Sequence, residues 1–131
     1  MKFLSVEEVI EIHSELIKIS GGLDGIRDRG LLISAIEMPK AMMFGKFLHE
    51  TVYDKAAAYL YHIVCNHAFL DGNKRTGAIT ALVFLQENGS YNENIDEQKY
   101  EDMVCNVAQG LIKKNEISEF LSNFIHQKTK L

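Results

Sequence analysis

Two long apolar stretches meet in the middle of the chain. Positions 53–66 and 76–88 are apolar on nearly every helical face, so each reads as a helix buried within a domain. Upstream, Val6, Val9, Ile10, His13, Leu16 and Ile17 recur at helical spacing. The capping-box pattern Ser5-Val6-Glu7-Glu8 opens this first helix and Gly21-Gly22 closes it. A polar, glycine-bearing loop over 23–30 leads to a short second helix over 31–37, ended near Pro39, the only proline. Thr51-Val52-Tyr53-Asp54 is a second cap-like start, after which Ala56, Ala57, Leu60, Ile63 and Val64 line one face. Ala78, Ile79, Ala81, Leu82, Val83, Phe84 and Leu85 carry the next helix, ended by Asn88-Gly89. Asp96 caps a helix over 97–109 with Tyr100, Met103, Val104 and Val107 inward, and Gly110 interrupts it. Asn115 caps a last helix holding Ile117, Phe120, Leu121, Phe124 and Ile125, and 128–131 reads as a frayed tail. The stretch 40–50 is less regular. There Met42, Met43, Phe44, Phe47 and Leu48 flank Gly45-Lys46, which suits either a small hairpin or a loop folded onto the core. The expectation is one all-α domain, 1–131, of five to six helices, with a short β-hairpin or flap near 40–50.

Composition narrows the class. The chain is 47% hydrophobic and 24% charged, as in soluble globular domains. A net charge of −4 argues against a general nucleic-acid coat. Cys65 and Cys105 both fall in apolar helical patterns without close spacing, so reduced core thiols are expected. No segment reaches the roughly 18 uninterrupted apolar residues of a membrane span. Positions 1–5 run straight into Glu7 and Glu8, so no signal peptide is expected and the cytoplasm is the expected location.

The chemistry concentrates between the two apolar stretches, in His67-Ala68-Phe69-Leu70-Asp71-Gly72-Asn73-Lys74-Arg75-Thr76-Gly77. Unpaired N–H groups and the positive dipole end at a helix start favour phosphate. Gly72 permits close backbone approach or positive φ. Lys74 and Arg75 add charge-assisted contacts, and the arginine fork can hold a phosphate bidentately. Asp71 would meet phosphate through Mg²⁺, an oxygen-seeking ion. His67 is the one group here suited to take a proton near neutral pH. The set suits transfer of a phosphoryl or nucleotidyl group to a hydroxyl. The plainer alternative is a capped turn, with Asp71 or Asn73 capping the next helix and Lys74 and Arg75 solvated. A nucleotide-binding P-loop does not fit, because Asn73 separates Gly72 from Lys74 and no strand precedes the loop.

Other candidates read as structural. His13, His49, His62 and His126 are scattered, and His62 and His67 do not have the spacing of a helical metal pair. Met42 and Met43 suit core or flap packing. Lys113-Lys114 reads as a solvated turn, and Asp24, Arg27, Asp28 and Arg29 as a polar loop.

The stretch from His67 to Thr76 resembles the signature loop of the Fic/Doc superfamily, whose broad pattern is His-Pro-Phe-x-(Asp/Glu)-Gly-Asn-Gly-Arg. The Doc branch replaces the last glycine by lysine, as Lys74 does here. Ala68 departs from the pattern, since many relatives have proline there. The resemblance extends to Ser5-Val6-Glu7-Glu8-Val9, to Gly21-Gly22-Leu23 and to Phe84-Leu85-Gln86-Glu87-Asn88-Gly89. It implies a compact Fic-like bundle whose flap docks a target in register with the loop. It implies His67 as general base, Asp71 as Mg²⁺ ligand, and Gly72, Asn73, Lys74 and Arg75 as the cradle for ATP phosphates, with Phe69 as core anchor. His67, Asp71 and Arg75 form the implied catalytic set. The implied protein is a Doc-like toxin that moves the γ-phosphate of ATP onto a hydroxyl of a translation factor, elongation factor Tu being the expected target. AMP transfer, as in Fic enzymes, and a catalytically idle binding module remain alternatives.

Many Fic enzymes silence themselves with a helix bearing Ser/Thr-x-x-x-Glu-(Gly/Asn). The nearest match is Ser20-Gly21-Gly22-Leu23-Asp24-Gly25, with aspartate for glutamate and two glycines where helix is required. Arg75 is therefore expected to lack an internal partner. A separate Phd-like antitoxin, with a disordered segment that folds as a helix on this domain, is the expected inhibitor. Neither a membrane nor direct nucleic-acid binding is expected.

Overall fold

The structure, a computed structural model, describes residues 1–91 and 95–127, with side chains through 124. The frayed tail expected at 128–131, and the side chains of Ile125 and His126, lie outside the described residues. In chain order the elements are α1 (Val6–Ser20), α2 (Arg29–Glu37), a 3₁₀ turn (Met38–Lys40), β1 (Met42–Met43), β2 (Lys46–Phe47), α3 (Val52–Asn66), α4 (Asn73–Glu87), α5 (Glu97–Ala108) and α6 (Lys114–Gln127). The expected all-α fold with a small hairpin is what forms.

Local chemistry explains most boundaries. Ser5 and Glu8 close a reciprocal capping box on α1, and Thr51 and Asp54 close one on α3. Gly21, at φ 78°, ends α1. The hairpin is antiparallel, with Met42 opposite Phe47 and Met43 opposite Lys46. Phe44 and Gly45 form its two-residue turn, both at positive φ. Phe44 stands 96% exposed at the tip, and Met42 and Met43 are exposed beside it rather than packed.

Three expectations about caps and cysteines change. The second helix starts at Arg29, not 31, because Asp28 accepts the Leu31 N–H at 3.0 Å. The last helix starts at Lys114, and Asn115 lies inside its first turn. There Glu116, at the third helical position, reaches back to the N–H of the capping residue Lys113 at 3.1 Å, which is half of a capping box. Both cysteines are free, but neither is a core thiol: Cys65 is half-buried and Cys105 is exposed on α5.

Only one helix is truly central. α3 buries residues on every face, including Ala56, Tyr59, Leu60, Ile63 and Val64, and packs against α2, α4, α5, α6 and the 3₁₀ turn. α4 instead buries one face and leaves Ile79 partly exposed. The two helices approach closely at Gly77, where a Cβ would lie 2.7 Å from Val64 Cγ2 and 3.1 Å from the Leu60 carbonyl. That contact fixes the ends between which the polar loop must run.

Polar groups also tie the flap and α6 to α3. Lys55 is buried, and its ammonium donates to the His49 and Glu50 carbonyls at 2.7 and 2.9 Å while lying 4.3 Å from the Phe47 ring centre. Lys114 does not form a solvated turn. Its Nζ lies 3.2 Å from His49 Nε2 and 3.0 Å from His62 Nε2. Burial, then the Lys114 charge and the His49 ring, lowers His62 to about 4. Burial and Lys114 lower His49 in the same direction.

Candidate active site

His67 is the C-cap of α3 and takes a left-handed conformation, φ 50° and ψ 45°. A side chain there is uncommon and needs support from its surroundings. Arg27 supplies it. Its Nε donates to the His67 carbonyl at 2.6 Å and its Nη2 to the Asn66 carbonyl at 3.3 Å, satisfying carbonyls left open at a helix end. The Arg27 and Asp28 N–H groups then donate to the buried Ala68 carbonyl at 2.7 and 3.0 Å. The Leu70 N–H reaches the Gly25 carbonyl at 3.1 Å, and Ile26 and Phe69 form a β-bridge. The segment 25–28, read above as a polar loop, is thus a splint along the signature loop.

Phe69 is the core anchor the sequence suggests, 1% exposed. Asn73 turns its amide back onto Phe69, accepting from the N–H and donating to the carbonyl, both at 3.0 Å. No side chain caps α4, so neither Asp71 nor Asn73 plays that part. The first-turn N–H groups at 73–75 precede the first helical bond, which the Thr76 N–H makes to the Gly72 carbonyl, so they have no intrahelical acceptor. Gly72 sits at the N-cap at φ 79°.

The Asp71 carboxylate is exposed. One oxygen accepts the Gly72 N–H at 2.9 Å and the other faces the Leu23 N–H at 3.4 Å. Gly22 makes room for it, since a Cβ there would lie 2.7 Å from Asp71 Oδ2. His67, Asp71, Gly72, Asn73, Lys74 and Arg75 all line one cleft of about 640 Å³, roofed by Gly21 and Gly22 at the end of α1. All six residues picked from the sequence are therefore together. Among the described residues the Arg75 guanidinium has no ion-pair partner, and Ser20 and Gly21 end a helix rather than build a blocking one.

This arrangement can accept a proton at His67 and hold an anion on helix N–H groups flanked by two cations. It can also bind a hard cation at Asp71. No group of three or more His, Cys, Asp or Glu converges among the described residues. A Mg²⁺ at Asp71 would accordingly draw its remaining ligands from phosphate oxygens and water, the coordination Mg²⁺ favours. The residues fit the ion.

Sequence reasoning missed Arg27 and His13. Arg27 gave no signal, since its partners lie 39 and 40 positions away. His13 gave a weak one, an imidazole on the core-facing stripe of α1.

The loop thus joins a left-handed histidine, a carboxylate and an uncapped helix start. The sequence pattern of the Fic/DOC family matches residues 3–85, and the chain belongs to that family. It is 36% identical to the Toxin Doc of Mycolicibacterium smegmatis over 124 residues, 94% of this chain and 93% of that one. It is 31% identical to the Protein kinase doc of Escherichia phage P1 over 121 residues, 92% of this chain and 94% of that one. Among the described residues no helix is long and apolar enough to cross a membrane.

Proposed function

We propose that this chain is a Doc-like toxin that transfers the γ-phosphate of ATP to a hydroxyl of a cytoplasmic protein, elongation factor Tu being the expected target. The observation that carries the reading is the shared cleft. His67 lines it together with the uncapped start of α4, Lys74 and Arg75, which supports His67 as the proton acceptor. The names of the two relatives support it.

In this mechanism the target hydroxyl enters the cleft beside His67. The imidazole takes its proton as the oxygen forms a bond to the γ-phosphorus. The bond between that phosphorus and the bridging oxygen breaks, and ADP leaves with the electron pair. N–H groups at the start of α4, with Lys74 and Arg75, hold the phosphates and offset charge that builds on them. Mg²⁺, held by Asp71, would supply further neutralisation of phosphate charge. Asn73 keeps the loop closed on Phe69, so its part in the cradle is through its backbone N–H.

Lys74 favours phosphoryl over AMP transfer. In the Fic pattern this position is glycine, which leaves an open backbone nest for inner phosphates. A lysine adds bulk and charge there, so the nucleotide binds in the reverse direction and presents its terminal phosphate to the hydroxyl.

Inhibition comes from a separate antitoxin, because Arg75 has no ion-pair partner among the described residues and the segment 20–25 stops a helix. Expression of the chain alone should arrest growth, and His67→Ala should relieve the arrest. Harmless accumulation of soluble wild-type chain would contradict the toxin reading.

A further inference from the structure

His13 lies seven residues before the end of α1 and is not itself among the residues that line the cleft. It is 1% exposed, yet three contacts join it to the signature loop. Its ring stacks on Phe69 with centroids 3.8 Å apart and planes 6° from parallel. Its Nε2 lies 2.7 Å from the Asp71 carbonyl oxygen. Its ring is also close to Gly72, where a Cβ would lie 3.6 Å from Nε2. A carbonyl only accepts, so Nε2 carries the proton and donates. The other ring nitrogen faces the exposed Asp24 carboxylate at 3.7 Å.

We infer that His13 is a positioning residue for this site: by holding the Asp71 carbonyl it sets the plane of the 71–72 peptide, and with it the direction of the Gly72 N–H and of the Asp71 carboxylate.

The peptide unit is planar, so fixing its oxygen fixes the opposite N–H. That N–H donates to Asp71 Oδ1 at 2.9 Å. One buried imidazole on α1 therefore orients the carboxylate of a residue 58 positions away. Glycine at 72 has the widest backbone freedom of any residue, so without this tether the peptide is free to turn. A histidine needed only for packing would be equally served by phenylalanine, which keeps the stack on Phe69. The hydrogen bond is the part that only a donor can supply. The consequence for nucleotide binding rests on the function proposed above, whereas the orientation of the loop does not.

The test compares wild type, His13→Phe and His13→Gln, since glutamine places an amide donor near the position of Nε2. Three quantities are read: the thermal midpoint, solvent exchange of the Gly72 amide by NMR, and affinity for Mg²⁺–ATP by calorimetry. His13→Phe is expected to stay folded, to exchange Gly72 faster and to bind Mg²⁺–ATP about tenfold more weakly, the scale of one lost hydrogen bond at a site that must stay ordered. His13→Gln should recover most of both. Wild-type Gly72 exchange in His13→Phe, or no recovery in a folded His13→Gln, overturns the inference. Should His13→Phe fail to fold, His13→Gln decides, because it loses the stack and keeps the donor: near-wild-type exchange supports the inference and fast exchange overturns it. If wild type binds no Mg²⁺–ATP, the proposed function fails, and the exchange comparison still decides the role of His13.

Discussion

Asn73 grips Phe69 with both ends of one amide: Oδ1 accepts the Phe69 N–H and Nδ2 donates to the Phe69 carbonyl, each at 3.0 Å. The first residue of α4 thereby closes the loop that precedes it. Both Phe69 groups are part-buried, so removing the amide leaves them without partners.

Asn73→Ala should lower stability by about 1–3 kcal/mol, the usual cost of stranding buried polar groups, and should reduce transfer as well. Asn73→Asp keeps the acceptor and loses the donor, so it should fall between. Urea unfolding of the three proteins checks this. Equal midpoints would show that the loop does not depend on the amide.

His67 and Arg75 should separate in kinetics. His67→Ala is expected to lose about 10²–10⁴-fold in transfer rate while folding and nucleotide binding stay near wild type, because a base acts in the transition state. Arg75→Ala should weaken both steps, since it removes a charged phosphate contact. Calorimetric nucleotide titrations beside initial rates distinguish the two. Full transfer by His67→Ala would remove the imidazole from the mechanism.

Much of this architecture is legible in the sequence. The reciprocal pairs Ser5 with Glu8 and Thr51 with Asp54 are three residues apart, and both formed. Of the two readings open for the stretch around Gly45-Lys46 the hairpin formed, its turn at Phe44-Gly45, and the six loop residues from His67 to Arg75 stand in one cleft. What escaped was long-range and polar. Arg27 holds the end of α3, His13 holds Asp71, and Lys114 joins His49 to His62 across 65 and 52 positions. Helical periodicity says which face of an element is apolar, but not which loop that face will meet. The near-continuous apolar run in α4 likewise misled, because its outer face lines grooves instead of core.

Stability should fall with mild acid, through the cluster at the foot of α6. His62 is held at about 4 in the fold against an ordinary 6.5. As pH drops through about 6.5 the unfolded chain binds a proton there and the folded chain does not, so acid favours unfolding. The contribution of this site is full above the unfolded value and is lost as pH falls from there towards about 4. His49, also lowered, adds in the same direction. The urea midpoint is expected to drop between about pH 7 and about pH 5, and to drop less in His62→Gln. An equal drop in both proteins would assign the acid sensitivity elsewhere.

Which phosphate of ATP moves can be read directly. The purified chain, Mg²⁺ and elongation factor Tu are incubated with ATP labelled at either the γ or the α phosphorus, and the labelled protein is counted. The expected result is label on the target from γ-labelled ATP, none from α-labelled ATP, and none from either with His67→Ala. Label from α-labelled ATP without label from γ-labelled ATP would contradict the account and establish AMP transfer in its place.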